Sequence, residues 1–324
     1  MRLTALLLSA FLLVPLAAPR DASAQLSADK PVRIVTGFPP GGPTDQMARA
    51  IGAKLQTLWK QNIVVETRPG ASGAIAMQQL KASPPDGHFV IVAPSNTLAV
   101  TPFMMSNVGY DPLADFSYLW LVATIDNVLL VNAALPAANL TELVAHARRN
   151  PGQVSFGSPA NGSQAHLSGE LMNAHFGVRM VHVPYKGTGP ALTDLLGGHI
   201  QMMFTPVAQA LPQMGGGKLR AIGVPARARN AAMPEVPTFA ELGVADFEAA
   251  TWFMLIGPAG LSAATLSVWR DAMATMWRDP EMRERIARTG ADLSSLPPAE
   301  LSGFVRGEAA RWRKVVQTAG IKAE

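Results

Sequence analysis

The chain has 324 residues, with 27 Lys and Arg against 23 Asp and Glu and a formal net charge of +4. The excess is mild and has no basic block behind it, so nucleic-acid binding has no support. There is no cysteine, which excludes disulfides, thiol catalysis and a lipid-modified N-terminal cysteine.

Arg2 opens a short positive region, and the run from Leu3 to Ala18 is apolar but short for a membrane span. Ala22-Ser23-Ala24 carries the small-x-small cleavage pattern. Residues 1–24 therefore read as a secretory signal peptide, with Gln25 as the new N-terminus. No later stretch is apolar enough to span a bilayer. The expected product is a soluble, exported, periplasmic protein, long enough for two domains of ordinary size.

Strand-like and helix-like segments then alternate. Residues 32–35, 63–66 and 89–93 read as strands, with helical patterns at 44–58 and 72–81 between them. Met47, Ala48, Ile51, Leu55 and Leu58 share one face of the first helix. A βαβαβ order implies a parallel sheet covered on both faces. A second set follows, with strands at 154–156, 180–183, 200–204 and 219–224 and helices at 163–176 and 190–196. Two such sets predict two α/β lobes. The apolar run 116–131 carries the chain from the first lobe to the second, and a strand within 247–256 returns it. The C-terminal part is helical; Leu301, Val305, Glu308, Trp312 and Val315 follow helical spacing, with Glu308 the one polar member.

The stretch from Thr36 to Asp45 carries the first candidate chemistry. It is a strand–loop–helix corner, Thr36-Gly37-Phe38-Pro39-Pro40-Gly41-Gly42-Pro43-Thr44-Asp45, with almost no side chains in the loop. Glycines leave backbone N–H groups bare, and the helix start adds unpaired donors and a favourable dipole for an anion. Asp45 either caps the helix or orders the loop from inside. No G-x-G-x-x-G or P-loop pattern is present. A second corner, Ser158-Pro159-Ala160-Asn161-Gly162-Ser163, repeats the same physics, with Ser163 placed to cap the next helix. A third, Ser95-Asn96-Thr97, sits at the C-terminal end of a strand, where open α/β sheets place ligands. Phe38 is the aromatic candidate for a ligand wall, and Trp252 reads as packing near the crossover. Taken alone, each loop is read equally well as a plain turn or helix cap.

His166 and Glu170 lie at i, i+4, but the spacing matches no metal motif, and no metal or cofactor is expected. Ser163 and His166 form the only imaginable nucleophile and base, without a G-x-S-x-G elbow. His88, His146, His182 and His199 show no cluster logic.

The chain resembles the solute-binding receptors of tripartite tricarboxylate transporters, the Bug-type proteins. The resemblance rests on an ordered series: Gly37-Phe38-Pro39-Pro40-Gly41-Gly42 with Asp45, Arg68-Pro69-Gly70-Ala71-Ser72-Gly73, Pro85-Asp86-Gly87, Gly162-Ser163-Gln164-Ala165-His166-Leu167, His182-Val183-Pro184-Tyr185-Lys186-Gly187, and Pro234-Glu235-Val236-Pro237-Thr238. It implies a two-lobe periplasmic binding fold of the type II kind, each lobe a largely parallel sheet flanked by helices, with the ligand in the interlobe cleft. Lobe 1 would take residues 25–124 and 248–324, and lobe 2 residues 125–247. The implied ligand is a small carboxylate, a di- or tricarboxylate or an aromatic acid. The implied partners are the membrane subunits of the transporter, and the receptor is expected to be a monomer and not an enzyme. Carried over by motif, the ligand-facing positions are Phe38, Pro39, Gly41, Gly42, Thr44, Asp45, Ser95, Asn96, Thr97, Ser158, Asn161, Gly162, Ser163, His166, Tyr185 and Thr205. Relatives often carry an acid where Thr205 stands, so recognition of a ligand ammonium is disfavoured here. The competing readings are a receptor that feeds a signalling partner and, further off, an exported hydrolase using Ser163 and His166.

Overall fold

The computed structural model describes residues 26–321 apart from Asp246 and Ser295. The signal peptide read at residues 1–24 and the new N-terminus at Gln25 lie outside these residues. In chain order the regular elements begin with β1 (Val32–Thr36), α1 (Pro43–Trp59), β2 (Ile63–Thr67), α2 (Ala74–Lys81), β3 (Phe89–Pro94), α3 (Ser95–Ala99), α4 (Thr101–Met104) and β4 (Phe116–Ile125). They continue with β5 (Asn127–Asn132), α5 (Leu140–Arg149), β6 (Ser155–Ser158), α6 (Gln164–Phe176), β7 (Val181–Pro184), α7 (Thr188–Gly197), β8 (Met202–Pro206), α8 (Val207–Ala210) and β9 (Leu219–Gly223). The last are β10 (Thr251–Pro258), α9 (Ala263–Arg278), α10 (Pro280–Ala287), β11 (Asp292–Leu293) and α11 (Leu301–Ala319).

The strands form two sheets. One has six strands in the order β11-β4-β10-β3-β1-β2, the other five in the order β7-β6-β8-β5-β9. Most strands in each run one way, as expected, with β10 and β11 against the rest of the first sheet and β5 against the rest of the second. β1 pairs in parallel with β2 and β3, whereas β10 is antiparallel to β3 and β4, and β11 to β4. β6 pairs in parallel with β7 and β8, and β5 runs antiparallel to β8 and β9. Two of these strands, β5 and β10, receive the chain as it crosses from one lobe to the other; β4, which leads it out, runs with β1 to β3, and β11 is an edge strand. A crossing strand enters the next sheet from the opposite end, so it cannot run with the βαβ strands already there. The apolar run 116–131 accordingly breaks at Asp126 into two strands of different sheets.

The registers fix where the loops go. Thr36, Thr67 and Pro94 end β1, β2 and β3. At the same end of the sheet, Thr251 opens β10 opposite Ile125, the last residue of β4. In the second sheet, Ser158, Pro184 and Pro206 end β6, β7 and β8, with Asn127 opening β5 opposite Pro206. The crossings thus join the sheets at the ends where the parallel strands stop, and the loops after those strands face each other.

Packing follows the sequence pattern. Met47, Ala48, Ile51 and Leu55 of α1 are fully buried, as an amphipathic face requires; Leu58, in the last turn, stays 40% exposed. The apolar stripe of α11 packs on both α3 and α6 and so belongs to a core shared by the two lobes, with Leu98, Phe156, Leu167, Phe204, Trp252 and Trp312. Glu308 turns inward. It accepts hydrogen bonds from the indoles of Trp252 at 2.8 Å and Trp312 at 3.2 Å, and it pairs with Arg311. No helix among the described residues is long and apolar enough to cross a membrane.

Candidate functional site

The first corner, between β1 and α1, is organised from within. Asp45 is 3% exposed. Its Oδ2 accepts the Gly41 N–H at 2.9 Å and the Arg49 Nε–H at 2.9 Å. Burial pulls its carboxyl upward, but the bonds from Arg49 and Gly41 outweigh this and hold it below the usual range. Of the two readings of Asp45, the second holds: it orders the loop. Gly42 takes the N-cap position without a side-chain cap, and Pro43 follows at the first helical position. The N–H groups of Thr44 and Asp45 then start a helix of 17 residues, whose first turn lacks intrahelical acceptors. Thr44 is buried, Gly42 half-buried, and Pro39 and Gly41 exposed.

A turn that the sequence pattern did not single out supports this corner. Gly70, Ala71, Ser72 and Gly73 have consecutive positive φ values of 145°, 47°, 53° and 90°. The helix expected from residue 72 therefore starts at Ala74. Left-handed geometry costs a residue with a Cβ about 1–2 kcal/mol, and Ala71 and Ser72 both adopt it. Strain of this kind persists where the surroundings over-determine it. Here the Thr97 hydroxyl donates to the Ser72 carbonyl at 3.0 Å, and the Gly73 N–H to the Gly70 carbonyl at 2.9 Å. A Cβ on Gly73 would lie 2.8 Å from Thr97 Oγ1 and 3.3 Å from the Phe38 ring. The structure thus brings Phe38, the 70–73 turn and Thr97 together. The signal in the sequence was the pair of glycines flanking Ala71 and Ser72.

The second corner lies between β6 and α6. Ser163 caps α6, its Oγ accepting the His166 N–H at 3.3 Å, as the sequence indicated. Gly162 N–H donates to His166 Nδ1 at 3.1 Å. Asn161 is exposed at the tip of the turn. Ser158 is fully buried: its hydroxyl donates to the Ala160 carbonyl at 2.9 Å and lies 2.7 Å from His182 Nε2. Tyr185 ties the turn to the next strand through its N–H on the Ser158 carbonyl at 2.9 Å, while its hydroxyl donates to Asp194 at 2.7 Å. Burial, reinforced by Asp194, pushes the Tyr185 phenol up to about 12. Ser158 and Tyr185 therefore shape the loop, with their hydroxyls already engaged. Thr205 is 0% exposed and its hydroxyl meets no partner; it pairs with Val128 inside the sheet.

His182 shows a clustering that sequence reasoning missed. Its ring stacks on His166 with centroids 3.6 Å apart and planes 5° apart. Burial lowers His182 to about 4, and burial together with His182 lowers His166 to about 3. Both are neutral imidazoles. Glu170, 3.8 Å from His166, is itself raised by burial. The contact arises because β6 and β7 pair in parallel with Phe156 opposite His182, a register that residue spacing alone does not disclose. With Ser163 Oγ used as a cap and His166 Nδ1 held by Gly162, these two do not form a nucleophile and base.

The third corner, at the start of α3, meets the second. Asn96 opens towards the second lobe and its carboxamide donates to the Gly162 carbonyl at 2.9 Å. Ser95 beside it is fully buried, its hydroxyl 3.4 Å from Asn96 Oδ1. On the other flank of the crossing strands lies a cavity of about 610 Å³, walled by Trp252, Phe304 and the 225–231 segment. Its charged groups are Asp126, Asp292, Glu248 and Glu308 against Arg227, Arg229 and Arg311. Carboxylates outnumber guanidiniums there, so an anion is better served by the loop flank.

A family model described as "Tripartite tricarboxylate transporter family receptor" matches residues 47–321. The chain belongs to this family. It is 34% identical to protein BugT of Bordetella pertussis over 305 residues, 93% of this chain and 94% of that protein. Among solved structures it is similar to R. palustris Rpa4515 with adipate, at 32% identity and a TM-score of 0.73, covering 90% of this chain and 98% of that one. It is also similar to MatC from Rhodopseudomonas palustris with bound malate, at 29% identity and a TM-score of 0.70, covering 89% and 99%. Receptors of this family are periplasmic solute-binding proteins, and the two-lobe α/β architecture expected from the sequence is the one these structures share.

Proposed function

We propose that this receptor captures a small carboxylated organic acid between its lobes and delivers it to the membrane subunits of a tripartite tricarboxylate-type transporter. The observation that carries the reading is the bond that joins the 95–97 corner of one lobe to the 158–163 corner of the other through Asn96 and Gly162, with the 37–45 corner set beside Thr97 by the 70–73 turn. Each corner ends in a helix start whose N–H donors and dipole favour a carboxylate. Adipate and malate, bound by the two related proteins, are both dicarboxylates, which supports an acid held at both ends. Several neutral donors converging on a charged oxygen each contribute about 1.5–3 kcal/mol, so no arginine is needed.

The groups facing the ligand would be Phe38 as an apolar wall, Pro39, Gly42 and Thr44 at the first corner, Asn96, and Asn161 to Ser163 at the second. Asp45, Thr97, Ser158, His166 and Tyr185 would hold those loops in shape. The lobes would divide as residues 25–124 with 248–324 and residues 125–247, and closure about the two crossings would bury the ligand. The working protein would be a monomer freed of residues 1–24.

A thermal-shift screen tests the reading. Adipate, malate, citrate, succinate and benzoate are each added in large excess. A ligand at a hundred times its Kd stabilises by about 2.7 kcal/mol, which a melting curve resolves. If none of these acids raises Tm, the carboxylate reading fails. N-terminal sequencing of the exported protein tests the cleavage after Ala24.

A further inference from the structure

The two stacked imidazoles have a hydrogen-bond logic that assigns their protons. Ser158 has one hydroxyl proton, and the Ala160 carbonyl can only accept it. His182 Nε2, 2.7 Å from the same oxygen, must then be the donor. His182 is neutral, so its Nδ1 is bare. Gly162 N–H can only donate, so His166 Nδ1 is also bare, and its proton sits on Nε2. Both rings are Nε2–H tautomers. The pair encloses the 158–162 turn: His182 holds its first residue, His166 its last. The carbonyl of that last residue is the one that meets Asn96 of the other lobe.

We infer that His182 is a positioning residue for the ligand site: by donating to Ser158 and stacking on His166, it fixes the turn that presents the second-lobe corner to the ligand. The inference rests on the proposed carboxylate site for its functional consequence, but the tautomer assignment stands independently of any ligand. His182 touches no ligand in this account. It acts through Ser158 and His166. Donation to Ser158 leaves the serine proton free to close the turn on Ala160. The stack holds the plane of the His166 ring, and the Gly162 N–H selects Nδ1 as the edge that faces the turn. Protonation of either ring would put a cation face to face with its neighbour, and at His166 would set a donor against the Gly162 N–H. Around the pair the titratable groups are Glu170, on α6 beside His166, and the two rings themselves.

Long-range ¹H–¹⁵N spectra of the full mature chain at pH 7 read the tautomers directly. Two Nε2–H rings are expected; a Nδ1–H or doubly protonated His182 overturns the inference. Calorimetric titration with adipate and malate then compares His182→Phe, which keeps the ring and loses the donor, with His182→Gln, which keeps a donor and loses the stack. His182→Phe should weaken binding about three- to tenfold, the worth of one neutral hydrogen bond. Ser158→Ala added to His182→Phe should weaken it little further, because the two act as one unit. In His182→Phe the remaining ring of His166 should titrate at a higher pH than in the parent, since the imidazole that lowers it is gone. Parental affinity in a folded His182→Phe, or fully additive losses with Ser158→Ala, would sink the positioning role. If the parent binds neither acid, the carboxylate reading is what fails, and the spectra still decide the proton assignment. If His182→Phe does not fold, His182→Gln and the spectra of the parent decide it.

Discussion

Asn96 reaches across the interlobe space and donates to the Gly162 carbonyl at 2.9 Å, a contact between a helix start of the first lobe and the 158–163 loop of the second. A bond of this kind contributes only when the lobes are together, so it biases the receptor towards closure. Its net worth is about 1 kcal/mol, which corresponds to about a fivefold change in apparent affinity if ligand binds the closed form. Asn96→Ala should therefore weaken binding of the acid picked out by the thermal-shift screen about fivefold. Asn96→Asp should weaken it more, because a carboxylate against a carbonyl repels where the amide attracted. Titration calorimetry with small-angle scattering of the bound state checks both; equal affinity in all three proteins would refute the bridge.

Gly162 is required for two reasons. Its φ is +67°, and a Cβ there would lie 2.5 Å from the Met104 methyl across the lobes. The methionine end is flexible and can yield, so the backbone strain dominates the cost. Gly162→Ala should lose about 1–2 kcal/mol of stability, with a Tm lower by about 2–3 °C for a chain of this size. Adding Met104→Ala should return only the steric part. Full recovery in the double variant, read by thermal unfolding, would show that contact and not conformation requires the glycine.

The corners at 37–45 and 158–163 could be read from the sequence because glycines and prolines stand between a β-branched run and a 3.6-residue apolar period. Those are local signals, and α1 and α6 begin where they indicated. The left-handed conformation of Ala71 and Ser72 escaped because neither residue marks it; the flanking glycines signal only a turn, and the Thr97 hydroxyl on the Ser72 carbonyl helps to hold it. His182 escaped because its partner, His166, comes from another element and meets it through the register of a parallel strand pair. The crossing strands were visible as apolar runs, but the reversed direction of β5 and β10 follows from topology, which no single segment carries. Thr205, carried over from the family resemblance as the place where relatives often have an acid, points into the interior because alternation puts it on the face of Val128.

Acid should act on the histidine pair before it acts on the structural carboxylates. The folded values of about 3 for His166 and about 4 for His182 lie below the unfolded 6.5. Above pH 6.5 both states are neutral there and the pair costs nothing. As pH falls below 6.5 the unfolded chain takes up protons that the folded one refuses, so stability declines down to the folded values. Asp45 and Glu66, lowered in the folded state, add their loss mainly below about pH 4.5. Glu170 and Asp126, raised by burial, act in the opposite direction. Between pH 6.5 and 4.5 the pair should remove about 2–4 kcal/mol, the lower figure discounting His182 for its exposure. Urea unfolding at the two pH values should show this loss in the parent and a smaller one in the double variant His166→Phe, His182→Phe. The same slope in both would mean that other groups titrate there.

Glu308 offers the clearest stability test, because the one polar residue in the stripe of α11 is the one that ties the helix down. Its carboxylate takes the N–H groups of Trp252 and Trp312 and the guanidinium of Arg311, with only 6% of the residue exposed. Removing it strands two buried indole donors and leaves a cation without its partner. A lost partner in a buried pair costs about 3–5 kcal/mol, and the partial exposure of Arg311 places the expectation for Glu308→Ala near the lower end. Glu308→Gln keeps an acceptor for one indole and gives up the charge, so about half that loss is expected. Glu308→Leu, with both Trp252→Phe and Arg311→Met, removes the polar groups together and should recover most of the stability. Because α11 packs on both lobes, unfolding should remain a single transition in every variant. A harmless Glu308→Ala in chemical denaturation would show that the indoles and Arg311 find water instead, and that apolar contacts alone hold α11 across the two lobes.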